Sequence, residues 1–119
     1  MRRSRWLALV ALALSAGCGS TTVVGADRTL TLTVTEYRLR PDRARVSEGL
    51  LTIVVHNYGK LTHNLAVSLD GQTEGISTPI PAGATAELPL QLTPGTYTIA
   101  STLLSDQALG AYGTLTVTR

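Results

Sequence analysis

The feature that most constrains this chain is an alternation of apolar and polar side chains that starts at Thr29 and recurs to the end. Leu30, Leu32 and Val34 alternate with Thr29, Thr31, Thr33 and Thr35. Leu51, Ile53 and Val55 repeat the pattern after Glu48-Gly49, and Leu61, His63, Leu65, Val67 and Leu69 carry it to Asp70-Gly71. Leu88, Leu90 and Leu92 follow the turn at Pro81-Ala82-Gly83. Tyr97, Ile99, Ser101 and Leu103 follow Pro94-Gly95, and Ala111, Gly113, Leu115 and Val117 close the chain. Successive side chains of a strand point to opposite faces, so each set predicts one buried stripe. No helical period of useful length competes. With turn signals at the roughly 8–12-residue spacing of an all-β sandwich, about seven strands are expected.

The N-terminal segment follows different rules. Arg2, Arg3 and Arg5 precede Trp6 to Leu14, an uncharged apolar run of nine residues. A helix needs about 20 residues to cross a bilayer, so this run is too short to span and matches a signal-peptide core. Leu14-Ser15-Ala16-Gly17-Cys18 then resembles the lipobox of bacterial lipoproteins, in which the cysteine becomes the lipidated first residue. The expected organisation is a signal peptide over 1–17, a lipidated tether over 18–28 and one domain over 29–119. The expected location is the extracytoplasmic (periplasmic) side of the cell membrane, with the lipid at Cys18 as the membrane contact. Cys18 is the sole cysteine, which excludes an internal disulfide and any multi-cysteine metal site.

Charge narrows the partners. From Cys18 onward seven basic and eight acidic side chains remain, a net charge of −1. Nucleic acid is therefore not an expected partner. Arg38, Arg40, Arg43 and Arg45 cluster, but Glu36, Asp42 and Glu48 interleave with them in the sequence, which reads as a solvated face.

Three segments carry a family resemblance. Leu51 to Gly59 followed by Thr62-His63-Asn64-Leu65 resembles the strand and loop that supply the first histidine ligand of cupredoxins. Thr93 to Ile99 resembles the strand leading to that family's copper-binding cysteine. Ala111 to Val117 resembles the closing strand after its methionine. The resemblance implies an all-β, cupredoxin-like Greek-key β-sandwich over 29–119. It also implies that the cysteine, second histidine and methionine positions fall at Ser101, Asp106 and Ala111, leaving His63 as the one matched ligand. Type 1 copper needs a thiolate, two imidazoles and usually a weak thioether. No cofactor is therefore expected, and no type 1 electron transfer.

The residues themselves give the pocket a second role. His63, Ser101 and Ala111 lie on the apolar stripes of their strands, so they are expected to point inward. A buried histidine needs hydrogen-bond partners, and with the positions that the resemblance implies the expected set is His63, Asn64, Ser101 and Asp106. His56 lies opposite Leu51, Ile53 and Val55 and is expected at the surface. The leading expectation is a membrane-tethered, non-enzymatic binding or structural module with an extracytoplasmic protein partner. Its nearest analogy is the cupredoxin-like domain of periplasmic iron-uptake lipoproteins, and the loop from Leu103 to Gly113 is its partner contact or its cap. A second reading is binding of copper or another metal through His63 and Asp106. A third is a hydrolase using Ser101, His63 and Asp106, although a mid-strand inward serine lacks the sharp turn and oxyanion hole such chemistry needs.

Overall fold

The computed structural model describes residues 20–103 and 106–119. The signal segment and Cys18 lie outside the described residues. Ten strands are present: β1 (Thr22–Val23), β2 (Thr29–Thr35), β3 (Arg38–Arg40), β4 (Arg43–Ser47), β5 (Gly49–Asn57), β6 (Ala66–Leu69), β7 (Gln72–Ile76), β8 (Thr85–Leu92), β9 (Gly95–Ala100) and β10 (Tyr112–Thr118). They form a six-stranded sheet ordered β1-β4-β10-β9-β6-β7 and a four-stranded sheet ordered β3-β2-β5-β8. This is a β-sandwich.

The alternation explains the packing. Leu30, Leu32 and Val34 of β2, Leu51, Ile53 and Val55 of β5, and Leu88, Leu90 and Leu92 of β8 turn one way. They meet Ala44, Val46, Val67, Tyr97, Ile99, Leu115 and Val117 from the other sheet. Fully burying one such side chain contributes about 1.5–3 kcal/mol. Pro89 lies in β8, an edge strand, where its missing N–H is tolerated.

Ten strands stand where about seven were expected. β1, β3 and β4 are short, with at most two buried side chains each, and β7 has none. Such strands leave no stripe to read. The stripe through Leu61 is also cut short: Leu61 is 51% exposed, because the chain forms a loop there and β6 begins only at Ala66.

The expected tether over 18–28 needs correction as well. β1 pairs in parallel with β4, Thr22 opposite Ala44. The Arg28 guanidinium donates to Ser47 Oγ at 2.6 Å, to the Ser47 carbonyl at 2.8 Å and, through Nε, to the Leu50 carbonyl at 2.8 Å. Residues 22–28 thus belong to the folded domain.

Strand directions define one functional end. β2 and β5 run in parallel and finish there, and β8 starts opposite the end of β5. β9 also finishes there, where β6 and β10 begin, and β4 and β1 run parallel to β10.

Candidate functional site

His63 sits on the loop between β5 and β6. Two backbone bonds hold it, its N–H donating to the Ile80 carbonyl at 3.1 Å and the Ile80 N–H returning to its carbonyl at 2.7 Å. Asn57, at the end of β5, braces the same loop from inside. Its side-chain amide donates to the Leu61 and Ile80 carbonyls at 2.9 and 2.8 Å, and its Oδ1 accepts from the Gly59 N–H at 2.8 Å. The imidazole is therefore placed by backbone geometry, and it is fully buried.

Ser101 follows β9 directly, its N–H bonded to the Ala111 carbonyl at 2.9 Å. The chain returns at Asp106, whose carbonyl accepts from the Ala111 N–H at 2.9 Å. That return turns the Asp106 carboxylate inward. Its Oδ2 lies 2.7 Å from His63 Nδ1 and accepts the Ser101 hydroxyl at 2.7 Å. Asn64 ties the two loops, its Oδ1 accepting from the Thr102 N–H at 2.7 Å and its Nδ2 donating to Thr102 Oγ1 at 3.0 Å. The Asn64 N–H donates to Ser101 Oγ at 3.3 Å. The structure thus brings together His63, Asn64, Ser101 and Asp106. Ala111 stands beside them without a polar side chain.

One participant has no signal in the sequence. Glu36, just past the end of β2, presents Oε1 at 3.3 Å from His63 Nε2. The same oxygen accepts the Lys60 and Leu61 N–H groups at 2.6 and 2.8 Å. The imidazole is therefore flanked by a carboxylate on each ring nitrogen. Parallel pairing of β2 with β5 is what carries Glu36 to the loop after Asn57, and only that topology could have revealed it. Among the described residues, no buried side-chain nitrogen or oxygen lacks a partner.

The Glu36 carboxyl is held below its ordinary value of 4.5, first by the Leu61 N–H, against the opposing effect of partial burial, and further by the Lys60 N–H, its own N–H and the His63 ring. A depressed carboxyl stabilises the fold above the unfolded value and loses that contribution as pH falls through the folded value. Stability is expected to decline as pH drops below about 4.5. In Glu36→Gln this part of the decline should be missing, which chemical denaturation at a series of pH values measures.

The arrangement limits the available chemistry. The order of contacts is serine to aspartate to histidine, so Asp106 separates Ser101 from the imidazole. A Ser-His-Asp triad needs the histidine in the middle, as the base for the hydroxyl. In this structure His63 and Asp106 are hydrogen-bonded to each other rather than set at ligand spacing. Nitrogen and oxygen ligands about 2.0–2.2 Å from a tetrahedral ion stand about 3.3 Å apart, whereas Nδ1 and Oδ2 are at 2.7 Å, the distance of a direct hydrogen bond. Among the described residues, no group of three or more His, Cys, Asp or Glu side chains could hold a metal ion. His56 lies elsewhere, half-buried on the outer face, with Nδ1 2.8 Å from Thr85 Oγ1 and its ring stacked on Tyr58.

The cupredoxin-like domain family matches residues 7–117. The chain belongs to that family. Among solved structures, dithionite-reduced auracyanin from the photosynthetic bacterium Roseiflexus castenholzii is similar at 18% identity and a TM-score of 0.74, over 80% of this chain and all of that one. An azurin, Az-iso2, from the methylotroph Methylomonas sp. strain J is similar at 13% identity and a TM-score of 0.69, over 79% of this chain and all of that one. At these identities the likeness concerns the fold. No match to a curated protein was found. The residues at this cupredoxin's pocket do not fit a type 1 copper centre. Where the sequence resemblance sets the thiolate, thioether and second imidazole, this chain carries a hydroxyl, a methyl group and a carboxylate, the last hydrogen-bonded to His63.

Proposed function

We propose that the chain is a membrane-tethered, extracytoplasmic cupredoxin-like lipoprotein that serves as a non-enzymatic binding or structural module. In this reading the family's copper pocket has become a hydrogen-bonded brace. The observation that carries it is the Asp106 carboxylate on His63 Nδ1. The carboxylate bonds directly to the imidazole and to Ser101, linking the two loops at that end of the sandwich. Ser101 lacks the thiolate that gives type 1 copper its character.

The tether rests on the apolar run ending in Ala16-Gly17-Cys18. One acyl chain alone gives marginal membrane binding, whereas the multiple chains of a lipidated N-terminal cysteine hold firmly, at about 0.8 kcal/mol per buried methylene. The experiment is purification of the full chain from copper-supplemented cells. The expected result is a membrane-bound protein without stoichiometric copper, and a Cys18→Ala variant that leaves the membrane fraction. A Cys18→Ala variant that stays on the membrane with its signal segment removed, or a parent protein carrying one copper per chain, would refute the corresponding half.

A further inference from the structure

The sequence interleaves four arginines with three carboxylates between Glu36 and Glu48, but the fold separates them. Glu36 turns to His63 and the loop at Lys60 and Leu61. Glu48 lies at the opposite end of the sandwich, its N–H bonded to the Thr118 carbonyl. Arg38, Arg40 and Arg43 remain exposed near the functional end, with Asp42 the one carboxylate among them. They line two adjoining grooves of about 290 and 330 Å³ that share Asp42, Gly110 and Tyr112. Tyr37, Leu109 and Tyr112, 44%, 55% and 54% exposed, rim the same surface.

The chain enters the fold at this end. β1 runs parallel to β4 and β10 with Thr22 opposite Ala44, so the residues before Thr22 lead back towards Asp42 and Tyr112. Four residue steps separate Cys18 from Thr22, at most about 14 Å when fully extended. β5 alone, with nine residues, is about 27 Å long at 3.4 Å per step. A tether of that length cannot turn the far end of the sandwich to the bilayer.

We infer that the functional end faces the membrane, with Arg38, Arg40 and Arg43 on anionic phospholipid headgroups and Tyr37, Leu109 and Tyr112 at the interfacial layer. The inference rests on the lipidation of Cys18 proposed above. Charge complementarity and the position of the anchor both select a lipid surface. Tyrosine favours that layer because its ring is apolar and its hydroxyl is wet. Each arginine near an anionic surface biases the orientation about fivefold, and salt weakens the bias by screening.

The test uses the full-length lipidated protein in vesicles, with a nitroxide on Gln107→Cys near the grooves or on Asp70→Cys at the far end. The thiol of Cys18 is consumed by the lipid, so the introduced thiol alone is labelled. On vesicles of phosphatidylcholine mixed with phosphatidylglycerol, collisions of a water-soluble nickel chelate with position 107 should fall by at least about fivefold, the effect of a single arginine, relative to phosphatidylcholine alone. Position 70 should be unaffected. High salt in the unsubstituted chain, and Arg38→Glu with Arg40→Glu and Arg43→Glu, should each restore the collisions. Equal accessibility of both positions in a protein that floats with the vesicles overturns the orientation and leaves the lipid anchor standing. Protection at 107 that ignores lipid charge and salt overturns the headgroup contact. A protein that does not float overturns the lipidation and this inference together.

Discussion

Replacing Asp106 with alanine is expected to destabilise the domain by about 2–6 kcal/mol, because two buried groups lose their acceptor at about 1–3 kcal/mol each. Asp106 is 5% exposed, and its Oδ2 serves both the His63 ring and the Ser101 hydroxyl. Alanine leaves both donors facing a void at a point where His63 is fully buried. Against a total stability of about 5–15 kcal/mol for a domain of this class, the change is a large fraction. Asp106→Asn is the informative companion, since it keeps a carbonyl oxygen in place. A neutral hydrogen bond contributes about 1 kcal/mol less than one to a charged group, so the asparagine variant should lose much less. Urea denaturation of the three proteins measures both differences. An alanine variant within 1 kcal/mol of the parent, a threshold set by the range of ordinary point substitutions, would mean that the brace holds nothing.

The second large effect is expected in the core. Ile53 is fully buried at the centre of β5, between Leu30 of β2 and Leu88 of β8. Ile53→Ala should cost about 2–5 kcal/mol through lost burial and an unfilled cavity. Leu50, on the same strand, is 67% exposed, and Leu50→Ala should stay within about 0.5 kcal/mol. Thermal denaturation of the two variants tests the register of the sandwich directly. Equal losses would mean that β5 does not alternate as described.

Much of this architecture was legible because burial and alternation are the same fact in a sandwich. Leu30, Leu32 and Val34, or Leu88, Leu90 and Leu92, could be read as inward from spacing alone. β3 could not, since Leu39 is its one buried residue, and β7 could not, since it buries none. The pocket was partly legible for the same reason. His63 and Ser101 stood on stripes, and Asp106 and Asn64 entered through the cupredoxin resemblance. Glu36 was invisible because its contact with His63 spans 27 residues and depends on parallel pairing of β2 with β5. Asn57 was missed although it ends a readable strand, because its role is to satisfy the backbone of the next loop. Charge patterning along the chain says less, because it does not show which charges share a surface. Neighbours in sequence such as Arg45 and Glu48 need not share a surface once a strand ends and the chain reverses.

In this structure an Asp106–His63 hydrogen bond stands where the sequence resemblance sets the family's copper. The direct measurement is the visible absorption of Cu(II)-loaded protein carrying Ser101→Cys, Asp106→His and Ala111→Met, compared with the same protein carrying His63→Ala in addition. Both carry Cys18→Ser, so that no stray thiol contributes. The intense blue band of type 1 copper requires a copper–thiolate bond in a trigonal histidine-cysteine site. The expectation is that band in the triple variant and its loss without His63, while the domain with its own Ser101, Asp106 and Ala111 stays colourless. Identical spectra with and without His63 in folded proteins, or blue colour from the unsubstituted pocket, would contradict it.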